Sequence, residues 1–401
     1  MVSSSTPSSN ILVINSGSSS IKFALFDMSN QQAILTGLAE RLNETPQISW
    51  KIADTNKASA TLQDPGHEAA FSFIIQLLEK HDLLEGVSGV GHRVVHGGES
   101  FSASVEITDQ VLQQLDKLNH LAPLHNPVNM QGIRAAQKLL PNVPQVAVFD
   151  TAFHQTMPQA AYMYAVPLDW YQQYGVRRYG FHGTSYRYIV GECARRLNKE
   201  ASDLNILCAH LGNGCSATAI RHGESIDTSM GLTPIEGLAM GTRSGNIDPG
   251  LIEFIANIEN KNIADVMQVL NKKSGLLGLS GISNDMRTLL EHEQQGNENA
   301  RLAIDTFCYR VARELSALSV GLERIDAIVF TGGIGEHAAV IRSRIMAFWR
   351  NSSIQLDQDL NNKNGDQTGC ISTPGSDKAM VIATNEELMI AQDTFGVCQH
   401  A

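Results

Sequence analysis

Apolar residues arrive along this chain in two forms, short solid runs and longer stripes of helical spacing, and the two forms alternate. The runs predict strands at 11–14, 21–26, 90–95, 146–149, 204–209, 327–330 and 381–383. The stripes predict helices. One covers 71–84 and stops at Gly86; another starts at Asn126-Pro127, an N-cap and N1 pair, and ends before Pro141. A third runs to about Leu197, capped by Thr184 or Ser185, and Leu302, Phe307, Val311, Leu315, Leu318 and Leu322 mark the face of a fourth. Residues 351–378 are polar and rich in Gly and Asn, which predicts loop. Strands alternating with helices predict an α/β fold.

The pattern also repeats. ILVINSGSSSIKFA from Ile11 and ILCAHLGNGCSATA from Ile206 lie on each other without a gap, each a strand, a small-residue turn and a strand. Later in each half a strand enters a Gly-Gly turn, HRVVHGG at 92–98 and IVFTGG at 328–333. Later still a strand ends in a polar tip, VAVFDT at 146–151 and VIATNE at 381–386. Three matches in the same order predict a duplicated domain, against chance recurrence of common strand–turn units. Two such halves facing one another would place their small-residue turns on opposite walls of a cleft suited to a nucleotide's phosphates. The first turn, NSGSSSIKF, reads either as an ordinary hairpin or as an anion cradle of backbone N–H groups and hydroxyls with Lys22 beside it. No GxxxxGK[ST] occurs, so any phosphate site is built from strand–turn elements.

Composition narrows the class. At 401 residues the chain is long enough for two or three domains, and 43% hydrophobic with 18% charged residues is ordinary for a globular protein. No apolar run has the length of a membrane span. The opening MVSSSTPSSN has no basic residue and no apolar core of signal type, and reads as a short disordered tail. Six cysteines without a CxxC pair suit free thiols in a reducing cytoplasm and argue against zinc. A net charge of −11 disfavours nucleic-acid binding and requires any anion site to be locally basic.

Few residues can supply that basicity. Arg93 ends a predicted strand beside His92 and His96, and Arg243 sits in MGTRSGNIDPG, too rich in small residues to be core. A guanidinium there can hold carboxylate or phosphate oxygens in bidentate fashion. His125 in APLHNP and His182 in YGFHGTS stand at loop–helix junctions, where an imidazole can serve a transferring group or be merely packed. Asp150 ends a buried strand at the edge where open α/β sheets bind ligands, and could equally cap a helix. Asn15 and Glu386 end strands in opposite halves and are hard oxygen donors of the kind Mg²⁺ takes. Glu386 also suits the first turn of a helix starting at NEELMIAQ.

NSGSSSIKF, GHRVVHGGE, APLHNP, VFDTAFHQTMP, RRYGFHGTS, HLGNG, DTSMGLTPIEGLAMGTRSGNIDPG, TGGIGE and TNEEL, in this order from about Ile11 to Ala391, resemble the acetate kinase family. The resemblance implies a duplicated ribonuclease-H-like (actin-like ATPase) fold with a central cleft. The N-terminal domain would take 1–150 plus 386–401, and the C-terminal domain, 151–385, would carry most of the nucleotide site. It implies reversible, direct in-line transfer of the ATP γ-phosphoryl group to acetate, giving acetyl phosphate and ADP, with Mg²⁺ (or Mn²⁺), by a cytoplasmic homodimer. Carried over by motif, Arg93 and Arg243 would grip the carboxylate and phosphoryl groups, with His182 joining them and His125 helping to bind. Asp150 would be the essential acid, Asn15 and Glu386 would position the metal, and Val95, Leu124, Phe181 and Pro234 would receive the methyl group. Lys22, the run His210, Leu211, Gly212, Asn213 and Gly214, the run Asp285, Met286 and Arg287, and the run Gly333, Ile334, Gly335, Glu336 and His337 would line the nucleotide site.

Three positions depart from the commonest family pattern: Tyr186 stands where many relatives have His, Asn246 for Asp, and His337 for Asn. The departure at Asn246 puts the orientation of Arg243 in question. A propionate-preferring kinase is the nearest rival, and the bulk of Val95 favours acetate. A chaperone-like or filament-forming ATPase would need a further region for which the motifs leave no room. A catalytically dead binding protein is at odds with the intact set Asn15, Arg93, Asp150, His182, Arg243 and Glu386.

Overall fold

The computed structural model describes residues 9–53, 55–123, 125–350 and 352–400. Residues 1–8, most of the stretch read above as a tail, and Leu124 lie outside the described residues. Asn10 is not tail: it opens the first strand. The chain forms two compact units, one running to Phe153 and resuming at Asn385, the other being His154–Thr384.

The first unit is built on an eight-stranded mixed sheet in the order β5-β4-β3-β2-β1-β6-β8-β7. Its strands are β1 (Asn10–Ser16), β2 (Ser20–Asp27), β3 (Gln32–Glu40), β4 (Gln47–Ile52), β5 (Ala58–Thr61), β6 (Val87–Val94), β7 (Val105–Glu106) and β8 (Gln145–Phe149). The second unit has β9 (Asn205–Leu211), β10 (Cys215–Arg221), β11 (Glu224–Thr228), β12 (Ala327–Thr331) and β13 (Lys378–Val381) in the order β11-β10-β9-β12-β13. Within the first sheet, β3-β2-β1-β6-β8 has that same order and sense: an antiparallel three-strand meander, then two strands parallel to the first. In the second, β11-β10-β9 is the meander, and β12 and β13 run parallel to β9. The gapless overlay of the two sequence stretches therefore equates β1–β2 with β9–β10.

The solid apolar run of β1 reflects cover on both faces. Leu12 and Ile14 pack in the core that includes Phe71, Ile74 and Leu78 of the helix His67–Lys80. Ile11 and Val13 face the other way, with Val146 and Val148 of β8, onto Ile390 and Ala391 of the helix Glu386–His400. That helix comes close to β6 because Gly89 and Gly91 offer no side chain. A Cβ on Gly91 would lie 2.2 Å from Thr394 Oγ1 and 2.7 Å from Ile390 Cγ2.

Several predicted boundaries move for identifiable reasons. The helix expected at 71–84 is His67–Lys80, starting earlier at Gly66, whose φ of 101° turns the chain. Neither Thr184 nor Ser185 caps its helix: Gly183–Leu197 starts behind His182, which has a φ of 59°. Asn126 is the first residue of Asn126–Leu139 rather than its cap, because its amide is used by His96. The helix marked by 302–322 is Glu298–Leu318, capped by the Asn297 side chain, which accepts from Ala300 N at 2.9 Å. The polar segment 351–378 includes the short helix Gln358–Asn362, and Asn361 and Ile371 within it are fully buried. Among the described residues no helix is long and apolar enough to cross a membrane.

Candidate active site

The alternation of side chains along a strand assembles the first unit's polar edge. Ile11 and Val13 of β1, Gly89 and Gly91 of β6, and Val146 and Val148 of β8 lie on the face covered by the helix Glu386–His400. One step further along each strand, on the same face, come Asn15, Arg93 and Asp150. The parallel register of β1 with β6 and of β6 with β8 sets them at one edge, and Asp150 N still donates to Val94 O at 3.1 Å. The covering helix begins at this edge with Glu386 and Glu387, acids favoured by its positive end.

Asp150, almost wholly buried, holds Arg93 in a bidentate pair, with Nε to Oδ1 at 2.8 Å and NH2 to Oδ2 at 2.6 Å. Burial works against the Arg93 charge, yet Asp150 and the nearby Glu386 and Glu387 outweigh it and hold the guanidinium above its ordinary pKa. Burial pushes the Glu386 carboxyl up. Asp150 and Glu387 push it the same way, while Arg93 and Lys22 pull it down. Lys22 lies across from Asn15 in the β1–β2 register and pairs with Glu387.

Glu386 suits a hard divalent ion: three carboxylates meet two cations here, and Glu386 is the one left short of counter-charge. Among the described residues no group of three or more His, Cys, Asp or Glu is gathered as a metal cage. Mg²⁺ commonly takes one or two protein oxygens and completes its shell with water and phosphate, so it requires no such cage.

Two amides hold the neighbouring loop: Asn126, which the sequence pattern marked only as a helix start, and Asn129, which it did not mark. Asn129 Nδ2 donates to Ser16 O at 2.9 Å, and its Oδ1 accepts from Val95 N at 3.1 Å. Asn126 spans the backbone of His96, accepting from its N and donating to its O. The signal was the i, i+3 spacing in NPVN, which puts both amides on one helix face. His125 occupies the N-cap position of that helix. His92 is buried and bound to Gln145 Oε1 at 2.7 Å, and burial lowers its pKa to about 4.

The second unit gathers a different set. His182 bonds Ser216 Oγ through Nδ1 at 2.8 Å and stacks on His210 with ring centres 4.3 Å apart. Its Nε2 and Arg243 NH1 converge over Gly214, where a Cβ would lie 3.6 Å from one and 3.7 Å from the other. Arg243 NH1 donates to Pro234 O at 3.1 Å, and among the described residues no carboxylate pairs with this guanidinium. Burial lowers its pKa, as expected of a cation desolvated without an anion. Asn246 does not orient Arg243. Its Oδ1 accepts from Gly237 N at 2.8 Å, a task a neutral amide oxygen performs as well as a carboxylate. Phe181 is buried, and its carbonyl bonds His154 Nε2 at 3.0 Å.

Beside these residues lies a cavity of about 650 Å³. Gly212, Asn213, Asp285, Met286, Arg287, Gly333, Ile334 and His337 line it, together with Asn284, Leu290 and Val340, which no motif had marked. His210, Leu211, Gly214, Gly335 and Glu336 were expected to line the nucleotide site but are not on this cavity's wall. His210 is in the histidine stack and Leu211 is buried. Gly214 faces His182 and Arg243, and Gly335 packs behind the turn against β12. Glu336 Oε1 accepts from Gly332 N at 2.9 Å and Thr384 N at 3.2 Å, so it braces the turn. Asp285 caps the helix Met286–Gln294 and pairs with Arg287, whose hydrogen bonds bring its pKa down to about 2. Behind the Gly-Gly turn, the fully buried Arg342 donates to the carbonyls of Gly335 and Glu336 and to Asn361 and Asn364.

The model of the acetokinase family matches residues 10–392. The chain belongs to the acetokinase family. It is 48% identical over 390 residues to an acetate kinase of Halothermothrix orenii, covering 96% of this chain and 98% of that one. It is 49% identical over 386 residues to an acetate kinase of Deinococcus radiodurans, covering 96% of each. Among solved structures, a propionate kinase from Francisella tularensis superposes with a TM-score of 0.93 at 44% identity, over 97% of this chain and 100% of the other. The Porphyromonas gingivalis acetate kinase does so with a TM-score of 0.91 at 40% identity, over 97% and 99%. The fold of this chain is accordingly the duplicated ribonuclease-H-like α/β architecture, one sheet to each unit.

Proposed function

We propose that the chain is an acetate kinase, moving the γ-phosphoryl group of ATP reversibly onto acetate. The observation that carries this, beyond family membership, is Arg243: a partly buried guanidinium with no carboxylate partner among the described residues, converging with His182 Nε2 on one point. Such a pair is a receptor for an anion, and phosphoryl oxygens are anions of the right size. A carboxylate oxygen of acetate attacks the γ-phosphorus while the bond to the β,γ-bridging oxygen breaks and ADP leaves. Acetate is already ionised, so no general base is needed; the obstacle is charge repulsion. Arg93, fixed by Asp150, grips the acceptor carboxylate, and Val95 at the end of the same strand limits the acyl chain. Arg243 and His182 take the developing charge on the phosphoryl oxygens. One well-placed arginine in phosphoryl transfer is worth about 10³–10⁵ in rate. Mg²⁺, held by Asn15 and Glu386 with His125 near the acceptor, would neutralise phosphate charge. The 650 Å³ cavity, with Leu290, Ile334 and Val340 on its wall, takes the base and ribose. The reading includes a cytoplasmic homodimer.

The test is ATP- and Mg²⁺-dependent acyl phosphate formation, trapped with hydroxylamine, for acetate, propionate and butyrate. Acetate as the best substrate supports the proposal. A preference for propionate keeps the chemistry and reassigns the acyl pocket. No product from a folded protein that binds ATP overturns the proposal.

A further inference from the structure

His182 can stabilise a phosphoryl group only if its Nε2 carries a proton toward it. A neutral imidazole with a bare Nε2 would aim a lone pair at anionic oxygens. Which nitrogen holds the proton is decided at the other end of the ring. There Nδ1 meets Ser216 Oγ at 2.8 Å, and the Ser216 hydroxyl has one proton to give. The same hydroxyl is hydrogen-bonded by Tyr186 Oη. Tyr186 is wholly buried on the helix Gly183–Leu197, its ring edge-on to both His154 and His210. Its position is therefore fixed by packing, and its hydroxyl has little freedom to leave Ser216.

We propose that Tyr186 is a positioning residue that acts through Ser216: the tyrosine hydroxyl donates to Ser216 Oγ, Ser216 donates to His182 Nδ1, and the imidazole is thereby held as the tautomer with its proton on Nε2. The inference rests on the phosphoryl-stabilising reading of His182. Groups facing this imidazole include Ser216 at Nδ1, the stacked His210, and Arg243 on the Nε2 side. His210 is anchored in a parallel way, with Nδ1 on Ser185 Oγ at 2.9 Å and Ser185 on Thr384 Oγ1 at 2.8 Å. Two stacked imidazoles, each tied at Nδ1 to a hydroxyl, can both stay neutral with Nε2 as donor. Two imidazolium rings at 4.3 Å would repel.

The test is a double-mutant cycle with Tyr186→Phe and Ser216→Ala, joined to ¹⁵N spectra of the histidine rings. His182→Gln assigns the His182 signals and measures that residue's own contribution. Tyr186→Phe keeps the ring and its packing, so it is expected to lower kcat about 3- to 10-fold, the worth of one neutral hydrogen bond, with the KM for acetate and for ATP within about twofold. Ser216→Ala should cost at least as much, and adding Tyr186→Phe to it should cost nothing more. The ¹⁵N spectrum of Tyr186→Phe should show His182 shifting away from the Nε2-protonated form. Independent, multiplying effects of the two substitutions, or an unchanged tautomer in Tyr186→Phe, would overturn the proposal. If His182→Gln leaves kcat intact, the functional reading of His182 fails, and the tautomer shift still decides the role of Tyr186.

Discussion

Asp150 is bound to Arg93 on both oxygens, so its chemistry is to hold a cation in place rather than to take a proton. Asp150→Asn keeps the shape and removes the charge that offsets the burial of Arg93. Breaking one side of a buried pair costs about 3–5 kcal/mol, and part of that falls on the geometry of the acceptor site. The expected outcome is a kcat at least about 100-fold lower with Mg²⁺ saturating, and a raised KM for acetate, read by the hydroxylamine assay. Near wild-type turnover would remove both the clamp and the acid from the mechanism. At this scale the gathering of Asn15, Arg93 and Asp150 on one sheet edge was legible, because they sit at ends of apolar runs whose period fixes their face. The partners of those residues were not legible. Nothing in the pattern couples Tyr186 to Ser216, thirty positions away, or sets Asn129 against Ser16 and Val95, since those meetings depend on how elements pack.

Elements carry the next level. The Gly-Gly turn at the 650 Å³ cavity is held from behind by Arg342, a buried guanidinium bonded, among the described residues, to neutral acceptors only. Burial lowers its pKa to about 10, still far above neutrality, so the charge persists and faces the last carbonyls of the helix Gly332–His337. Arg342→Lys retains the charge and loses the planar fork. It is expected to raise the KM for ATP about 10-fold with little change in the KM for acetate, measured by steady-state kinetics. Arg342's partners Asn361 and Asn364 come from 351–378, which composition marked as plain loop. Composition reports polarity, and here the polar groups are turned inward to satisfy an arginine. The β6 glycines make the opposite point: HRVVHGG looks like a turn signal, yet Gly89 and Gly91, which precede it and carry no such signal, also leave room that a side chain would fill. Gly91→Ala should lower the thermal midpoint, since a methyl there meets Thr394 and Ile390; overpacking of this kind costs about 1–3 kcal/mol. An unchanged melting curve would show that the helix can move aside without cost.

The molecule as a whole should respond to acid. His92 in one unit and His154 in the other are buried, and burial lowers both pKa values to about 4. An unfolded chain takes up those protons near pH 6.5, so each unit keeps the full contribution above that pH and loses it as pH falls toward 4. The loss for each is on the order of 3 kcal/mol at the lower end. Thermal midpoints measured from pH 7 to 4 should fall across that window, and a His92→Gln variant should fall less steeply. A flat profile would contradict the burial of these rings. The duplication itself was legible at this scale, from a 14-residue overlay that turned out to equate β1–β2 with β9–β10. Surface use was not. The helix Gly250–Glu259 presents Leu251, Phe254 and Ile258 to solvent at i, i+3 and i+7, with Phe254 61% and Ile258 66% exposed. If that stripe serves the proposed dimer, Phe254→Glu with Ile258→Glu should halve the mass seen by light scattering, and an unchanged mass would place the contact elsewhere.

The return of the chain to its first unit has a temporal side. The slot over Gly89 and Gly91 is filled by Ile390 and Thr394, residues synthesised after all of 154–384. On the ribosome the second unit can close while the first still lacks the helix that covers one face of its sheet. The acidic start of that helix, beside Arg93 and Lys22, arrives with it. Nascent chains halted before residue 386 should therefore leave the first sheet protease-sensitive while the second resists, and the first unit would be completed only after the whole of the second has been made.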